Sequence, residues 1–389
     1  MVAIKGRKNS NKNPPIFSHE FVIQNHGDIV SCIAITFVTG LMVQATSPWA
    51  YTFIAIHHNI TSDLEDPTVP MKYTNGWKDA CAVFFYLLIT IVMHAVFQEY
   101  IFDKVSKRLH LSKVKLAKFN ESSQLILFYI LSVIWGIDII IREDLLLNIS
   151  SLWKDYPVPM SFSSKLFFIG QLSYWLHCYP ELYFQKVKKE DIPSHVVQAT
   201  VGLLFTLAAY TFNFQQVGIL LLVLHYLGDA MLHGARLVHF VGKKEKMTRM
   251  AFLVANSVYV FARVATLAIA TLVFLYGLNK VESTFDFATG NFNNLVVRFS
   301  ALSIIVGFQG YLSYVFIKRQ IKRAQENAAP VQTAVKSKQK LKRKEGKREI
   351  NEMLLSFVKC ESYFCIGKKS AMSEDDDLPE VDQATKKKS

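Results

Sequence analysis

Eight apolar runs, each about as long as a helix that crosses a bilayer (roughly 20 residues), alternate with short polar connections along this chain. They are approximately Ile29–Ile56 (interrupted near "ATSP"), Ala80–Phe102, Gln124–Ile141, Lys165–Gln185, Val196–Phe212, Val217–Phe240, Met250–Leu278 and Leu295–Ile317. Composition agrees: the 389 residues are 51% hydrophobic yet carry a formal net charge of +13, so apolar and basic residues are segregated along the chain. The expected fold is an all-α polytopic membrane helical bundle of about eight transmembrane helices. Only "NFQQ" separates spans 5 and 6, which predicts a tight helical hairpin there.

Basic residues set the orientation, because cytoplasmic connections retain Lys and Arg whereas translocated ones rarely do. Of the 44 Lys and Arg, 35 fall before span 1, in 103–118, in 186–189, in 243–249 and after span 8. The opposite connections hold 7, and Arg236 and Arg263 lie within spans. Both termini are therefore expected in the cytosol, with 1–28 a cytosolic N-terminal segment and 57–79 a luminal loop. Met1–Asp28 lacks the short apolar core and small-residue cleavage site of a signal peptide, so the first span is expected to act as the targeting signal.

Three Asn-X-Ser/Thr sequons occur, at Asn59, Asn120 and Asn148. The charge asymmetry puts Asn59 and Asn148 in the lumen, so Asn59 is the expected glycan acceptor; Asn148 sits in a tighter loop and Asn120 is cytosolic. Cys32, Cys81, Cys178, Cys360 and Cys365 lie in spans or in the cytosolic tail, and no disulfide is expected. The tail, 327–389, is rich in basic runs, carries the acidic patch "SEDDDLPE" and lacks apolar periodicity, which predicts disorder. Its Lys runs suit anionic phospholipid headgroups or ribosomal RNA as readily as plain solvation. Lys386 and Lys387 stand four and three positions from the C terminus, an arrangement that resembles the dilysine signal for endoplasmic reticulum retrieval.

The polar residues inside the spans carry the functional question. On a helix, His225, Asp229, His233, Arg236 and His239 project within an arc of about 120°. Ionisable groups are costly in hydrocarbon, so this face is expected to look toward other helices or a water-filled cavity. Span 4 supplies a second set, His177 and Glu181, four apart around a kinking Pro180. Three readings compete for the polar interior these residues would share. A metal site is disfavoured because no HExxH pattern occurs, and no cofactor is expected. Acid–base chemistry would use His225 tuned by Asp229. A structural network would satisfy the same groups without chemistry.

The stretch "KKEDIPSHVVQATVGLLF" followed by "GILLLVLHYLGDAMLHGARL" resembles the Lag1-type motif of the TRAM/Lag1/CLN8 superfamily, whose enzymatic members are ceramide synthases. In those enzymes an Asp-containing segment leads to a paired His-His, and a later His-Asp-x-x-Asp follows. With Asp191 on that first aspartate, Gln198 and Ala199 stand where the histidine pair is expected. His225 and Asp229 match the downstream motif, and Tyr226 replaces its first aspartate. The resemblance therefore implies a superfamily member without acyltransferase activity, not an enzyme.

Segments outside the motif, "SHEFVIQNHGDIVSC" at 18–32, the run 94–125 beginning "HAVFQEYIFDKVSKRLHL", "YWLHCYPELYFQKVKKEDIP" at 174–193 and "FDFATGNFN" at 285–293, resemble the translocating chain-associated membrane protein (TRAM) family from about residue 14 to 325. That resemblance implies an N-terminal transmembrane region over 29–116 and a TLC (TRAM/Lag1/CLN8) domain over 117–326. It also implies residence in the endoplasmic reticulum beside the Sec61 translocon, where signal sequences and transmembrane segments of nascent polypeptides would be the partners, with no role for DNA. Under it, His225, Asp229, His233, Arg236, His177 and Glu181 are the candidate lining of a polar cavity that contacts a nascent chain or a lipid. "SHEFVIQNHGDIVSC" itself has two readings: a contact for Sec61 or a lipid headgroup, or a helix at the interface capped by Ser18 and Glu20.

Overall fold

A computed structural model describes residues 15, 18–61, 70–242 and 244–328. Lys386, Lys387 and most of the basic tail lie outside the described residues. Helices dominate, in the order α1 (His19–Gly40), α2 (Ser47–Ile54), α3 (Asp79–Phe97), α4 (Asp103–Leu109), α5 (Lys113–Arg142), α6 (Phe162–Phe184), α7 (Ile192–Thr211), α8 (Gln215–Val241), α9 (Glu245–Thr271) and α10 (Leu295–Ala328). The described chain forms two compact units, one ending at Gln309 and one beginning at Gly310, within α10. In the second, α10 continues as helix with Tyr314, Ile317 and Ile321 exposed.

Local chemistry explains the boundaries. The Ser18 hydroxyl accepts the Phe21 N–H at the start of α1, which kinks at Asn25, where the side chain donates to the Phe21 carbonyl. The first apolar run breaks after Gly40, and α2 restarts with Pro48 in its first turn, where the missing N–H costs nothing. A π-helical turn at Gln98–Phe102 joins α3 to α4 in one 31-residue rod, Asp79–Leu109. A second, at Leu272–Gly277, extends α9 to Lys280. The predicted hairpin is present: α7 ends at Thr211 and α8 begins at Gln215, with Asn213 in the left-handed region.

Seven helices among the described residues are long and apolar enough to cross a membrane. The eighth run counted from sequence is α6, whose 23 residues suffice in length but include Lys165, Gln171, His177 and Glu181. These polar side chains are buried inside the bundle, and Phe167, Phe168 and Ile169 beside them are fully enclosed. A helix surrounded by other helices does not need a lipid-compatible surface, so hydropathy alone underrates it. Close approach is bought with small residues: a Cβ at Gly136 on α5 would overlap Val223 of α8, and one at Gly202 on α7 would overlap the Trp175 ring of α6.

The connections expected in the lumen are tied together at one end of the bundle. Residues Lys72–Tyr73 (β1) pair antiparallel with Met160–Ser161 (β2), joining the loops before α3 and α6. Beneath them the Lys165 ammonium lies 2.8 Å from Asp79 Oδ1, both side chains buried. Lys165 also donates to the carbonyls of His57 (2.7 Å) and Thr74 (2.6 Å), and Asp79 Oδ2 accepts from the Gly76 N–H and the Tyr210 hydroxyl. Nearby, the Tyr156 hydroxyl donates to the Phe212 carbonyl and accepts from the Phe292 N–H. Breaking a buried ion pair from one side costs about 3–5 kcal/mol because the other charge stays buried. Lys165→Met is accordingly expected to melt well below the wild type in a fluorescence-monitored thermal scan of the solubilised protein, and the double variant Asp79→Asn/Lys165→Met to recover part of that loss.

Candidate functional site

Two polar clusters sit inside the bundle, where the sequence suggested one shared interior. The first lies where α8, α9 and α10 meet. His225 and Asp229 share a face of α8 at i and i+4, with His225 Nε2 3.3 Å from Asp229 Oδ2. Arg263 of α9 donates from Nη1 to His225 Nδ1 (2.7 Å) and to Gln309 Oε1 (3.1 Å), and its Nη2 lies 3.5 Å from Asp229 Oδ1. The guanidinium stacks over the Tyr259 ring at 4.5 Å, and Gly228 lets it lie against α8: a Cβ there would approach Nη2 to 3.2 Å.

These contacts fix the chemistry open to His225. A guanidinium only donates, so Nδ1 is the acceptor and the proton is on Nε2, directed at Asp229. Both ring nitrogens are committed, and neither is free to take a proton from a substrate. The pair of Arg263 and Asp229 is formally neutral, which is how a buried cation is tolerated at bilayer depth.

The second cluster joins α3, α5 and α6 near the end of the bundle that faces the predicted cytosol. His94 Nδ1 lies 2.8 Å from His177 Nε2, and His94 Nε2 lies 3.2 Å from Glu181 Oε1. A relay of amides continues outward: Gln185 donates to His94 Nε2 (3.1 Å) and to Gln124 Oε1 (2.9 Å), and Gln124 donates to Gln98 Oε1 (2.6 Å). Gln98 then donates to Asp103 Oδ1 across the π-helical turn (2.6 Å). A small open cleft is lined by His94, Gln124, His177, Glu181, Gln185 and Gln198, among others.

An aromatic wall separates the two. Tyr226 of α8 stacks on Tyr129 of α5 at 5.3 Å and faces Trp175 of α6 at 6.5 Å; Phe128 stacks on Tyr174. The wall is itself hydrogen bonded: Trp175 donates to the Tyr226 hydroxyl, which donates to Gln171 Oε1, while Gln171 donates to Ser132. His177 and Glu181 therefore do not share a cavity with His225 and Asp229, because the intervening positions are filled by large rings. His233 is buried against Tyr129 at 5.9 Å, and Arg236 is half-buried. His239 is exposed, so the polar face of α8 surfaces at its C-terminal end.

The sequons differ in placement. Asn59 is exposed and bridges Tyr73, its Oδ1 accepting the Thr61 N–H; Asn148 is exposed with its Oδ1 accepting from Ser150; Asn120 is half-buried in α5. His94, Arg263 and Gln309 were not among the sequence candidates. Arg263 is visible as a lone charge in an apolar run, whereas His94 and Gln309 carry no pattern of their own.

The family profile for the TLC domain matches residues 118–318. Translocating chain-associated membrane protein 2 of Mus musculus is 43% identical over 317 residues, which cover 81% of this chain and 85% of that protein. The Homo sapiens protein of the same name is 42% identical over the same shares. Sphingosine N-acyltransferase lag1 of Schizosaccharomyces pombe is 24% identical over 218 residues, 55% of this chain and 53% of that one. Gln198 and Ala199, where the resemblance to ceramide synthases expects the histidine pair, both line the cleft beside His177 and Glu181. With its lipid-length helices and this similarity along most of its length, the chain is a multi-pass membrane protein and belongs to the TLC-domain family, in its translocating chain-associated membrane protein branch.

Proposed function

We propose that this chain is an endoplasmic reticulum membrane protein that assists translocation of secretory proteins and insertion of nascent membrane proteins at the Sec61 translocon, by contacting signal sequences and transmembrane segments. The observation that carries this reading is the similarity to translocating chain-associated membrane protein 2 over 81% of the chain. The site supports it. A segment with a weak apolar core pays about 2.5–3.5 kcal/mol for a charge at the bilayer centre. Here the buried Arg263 and Gln309 hold His225 and Asp229 near the middle of α8, and those two side chains, each 23% exposed, are the polar groups that lower the cost of a segment's passage into lipid.

The remaining assignments follow from the same reading. Both termini face the cytosol, Asn59 carries a glycan, with Asn148 the second luminal sequon, and Lys386 and Lys387 return the protein to the endoplasmic reticulum. The basic tail is the part suited to ribosome and anionic phospholipid contact. The chain is not an enzyme: His225 has no free nitrogen, and Gln198 and Ala199 supply no imidazole. A second reading, a TLC-domain protein that binds a lipid without acyl transfer, is favoured by one observation, the cleft that holds Gln198 and Ala199.

Site-specific photocrosslinking tests the first reading. A photoreactive residue in the apolar core of a short secretory nascent chain, arrested in reconstituted membranes, is expected to yield an adduct that antibody to this protein recovers; no adduct from any signal sequence would mean the insertion role is wrong. Acyl-CoA transfer to a sphingoid base by the purified protein is expected to stay at the level of a heat-inactivated control, and real turnover would overturn the non-enzymatic assignment.

A further inference from the structure

The cluster of His94, His177 and Glu181 has an arrangement its protein partners do not complete. Among the described residues, each of the three offers one ligand atom, and those atoms lie within 4.8 Å of one another. The His177 Nδ1 contacts the Tyr174 carbonyl at 2.9 Å. A carbonyl only accepts, so Nδ1 carries the proton and Nε2 presents a lone pair to the cluster. His94 Nδ1 must then donate to it, which makes His94 Nε2 an acceptor, contacted by the Gln185 amide at 3.1 Å and lying 3.2 Å from Glu181 Oε1.

Two imidazoles and a carboxylate are thus crowded together, with two acceptors, His94 Nε2 and Glu181 Oε1, facing each other at 3.2 Å. Glu181 adds a second observation: it is 9% exposed, and its Oε2 has no hydrogen-bond partner among the described residues, although it lies 3.9 Å from His177 Nε2. A buried carboxylate oxygen aimed at an imidazole lone pair needs a positive centre between them. A proton between His94 and Glu181 serves that edge of the triangle and still leaves Glu181 Oε2 without a partner among the described residues. A divalent cation serves all three.

We infer that His94, His177 and Glu181 bind a zinc-class divalent cation. Two imidazoles and one carboxylate form a donor set that suits Zn²⁺, with bonds of about 2.0–2.2 Å. The three ligand atoms lie within 4.8 Å of one another, and coordination opens the His94–His177 hydrogen bond and draws them in around the ion. The surroundings match what such a site requires. The Tyr174 carbonyl fixes the tautomer of His177 from behind, as backbone carbonyls do for metal-bound histidine, and the Gln185 amide, which contacts His94 Nε2 itself, turns away when an ion takes that nitrogen. All three residues line the cleft, so an ion would have an entry path and room for water or an exchangeable ligand. His177 and Glu181 come from one turn of α6 and His94 from α3, so the ion links two helices. Sequence spacing conceals the site because its third ligand is 83 residues away from His177.

Metal binding by the full-length protein, tag removed, stripped with chelator and held in nanodiscs, tests this. Zn²⁺ is expected to bind at about one equivalent per chain by elemental analysis and to raise the melting temperature. Co²⁺ is expected to give the intense visible absorption of a four-coordinate site. Glu181→Gln, which keeps shape and removes charge, and His94→Gln are each expected to weaken binding at least about 10-fold and to abolish the thermal shift, while the exposed His110→Gln binds as the wild type. If His177→Gln does not fold, Glu181→Gln carries the test. Substoichiometric binding by the wild type, or wild-type affinity in both Glu181→Gln and His94→Gln, would overturn the assignment.

Discussion

Each ionised or hydrogen-bonding side chain that this bundle holds at bilayer depth has to find its partner inside the protein, because hydrocarbon offers none. That constraint explains more of the architecture than helix propensity does. It puts α6 at the centre, since Lys165, Gln171, His177 and Glu181 each need a neighbour on another element, and each touches one: Asp79, Ser132, and His94 for the last two. It makes Arg263 face Asp229 and Gln309, and it makes glycine the residue of choice where α8 must come close to that guanidinium. Lipid-facing positions elsewhere are free to be apolar, and the exposed side chains of α5, such as Leu131 and Ile134, and of α9, such as Phe261 and Val264, are.

The partitioning of these polar groups into two clusters has a functional consequence. The cluster around Arg263 is charge-compensated, with His225 Nδ1 accepting from Arg263 and Nε2 3.3 Å from Asp229 Oδ2, which makes it a permanent polar feature rather than a reactive one. The cluster around Glu181 opens on a cleft and leaves one carboxylate oxygen unpartnered among the described residues. Between them the ring stack of Tyr129, Trp175 and Tyr226 blocks a shared cavity. At the positions that the resemblance to ceramide synthases assigns to a histidine pair, the cleft is lined by Gln198 and Ala199.

Much of this was legible in the sequence. Run length specified the helices, and "NFQQ" specified the hairpin between α7 and α8. Polarity in α6 and α8 pointed to the interior, and His225 with Asp229 is the pair that Arg263 holds. Three things were not legible, for physical reasons. A helical projection shows which residues share a face but not what fills the space opposite, so the aromatic wall was invisible and one interior was expected instead of two. A single histidine in an apolar run, His94, has no periodic partner on its own helix. The π-helical turn at Gln98–Phe102, which helps aim Gln98 back at Gln124, leaves no composition signal. Arg236 drew attention because it falls on the arc with His225, yet the guanidinium in contact with Asp229 is that of Arg263, one helix away in space.

The central claim is that polar groups held at bilayer depth ease the passage of marginal segments into lipid. Its most direct measurement is the insertion efficiency of a weakly apolar signal-anchor segment into proteoliposomes containing Sec61 and either wild-type protein or the paired variant Asp229→Leu/Arg263→Met. Replacing a buried ion pair by apolar residues of similar volume is often neutral for folding, so the variant is expected to keep the wild-type melting profile. It is expected to support insertion no better than vesicles lacking the protein, whereas a folded variant that inserts the segment as well as wild type would rule out a role for these groups in insertion.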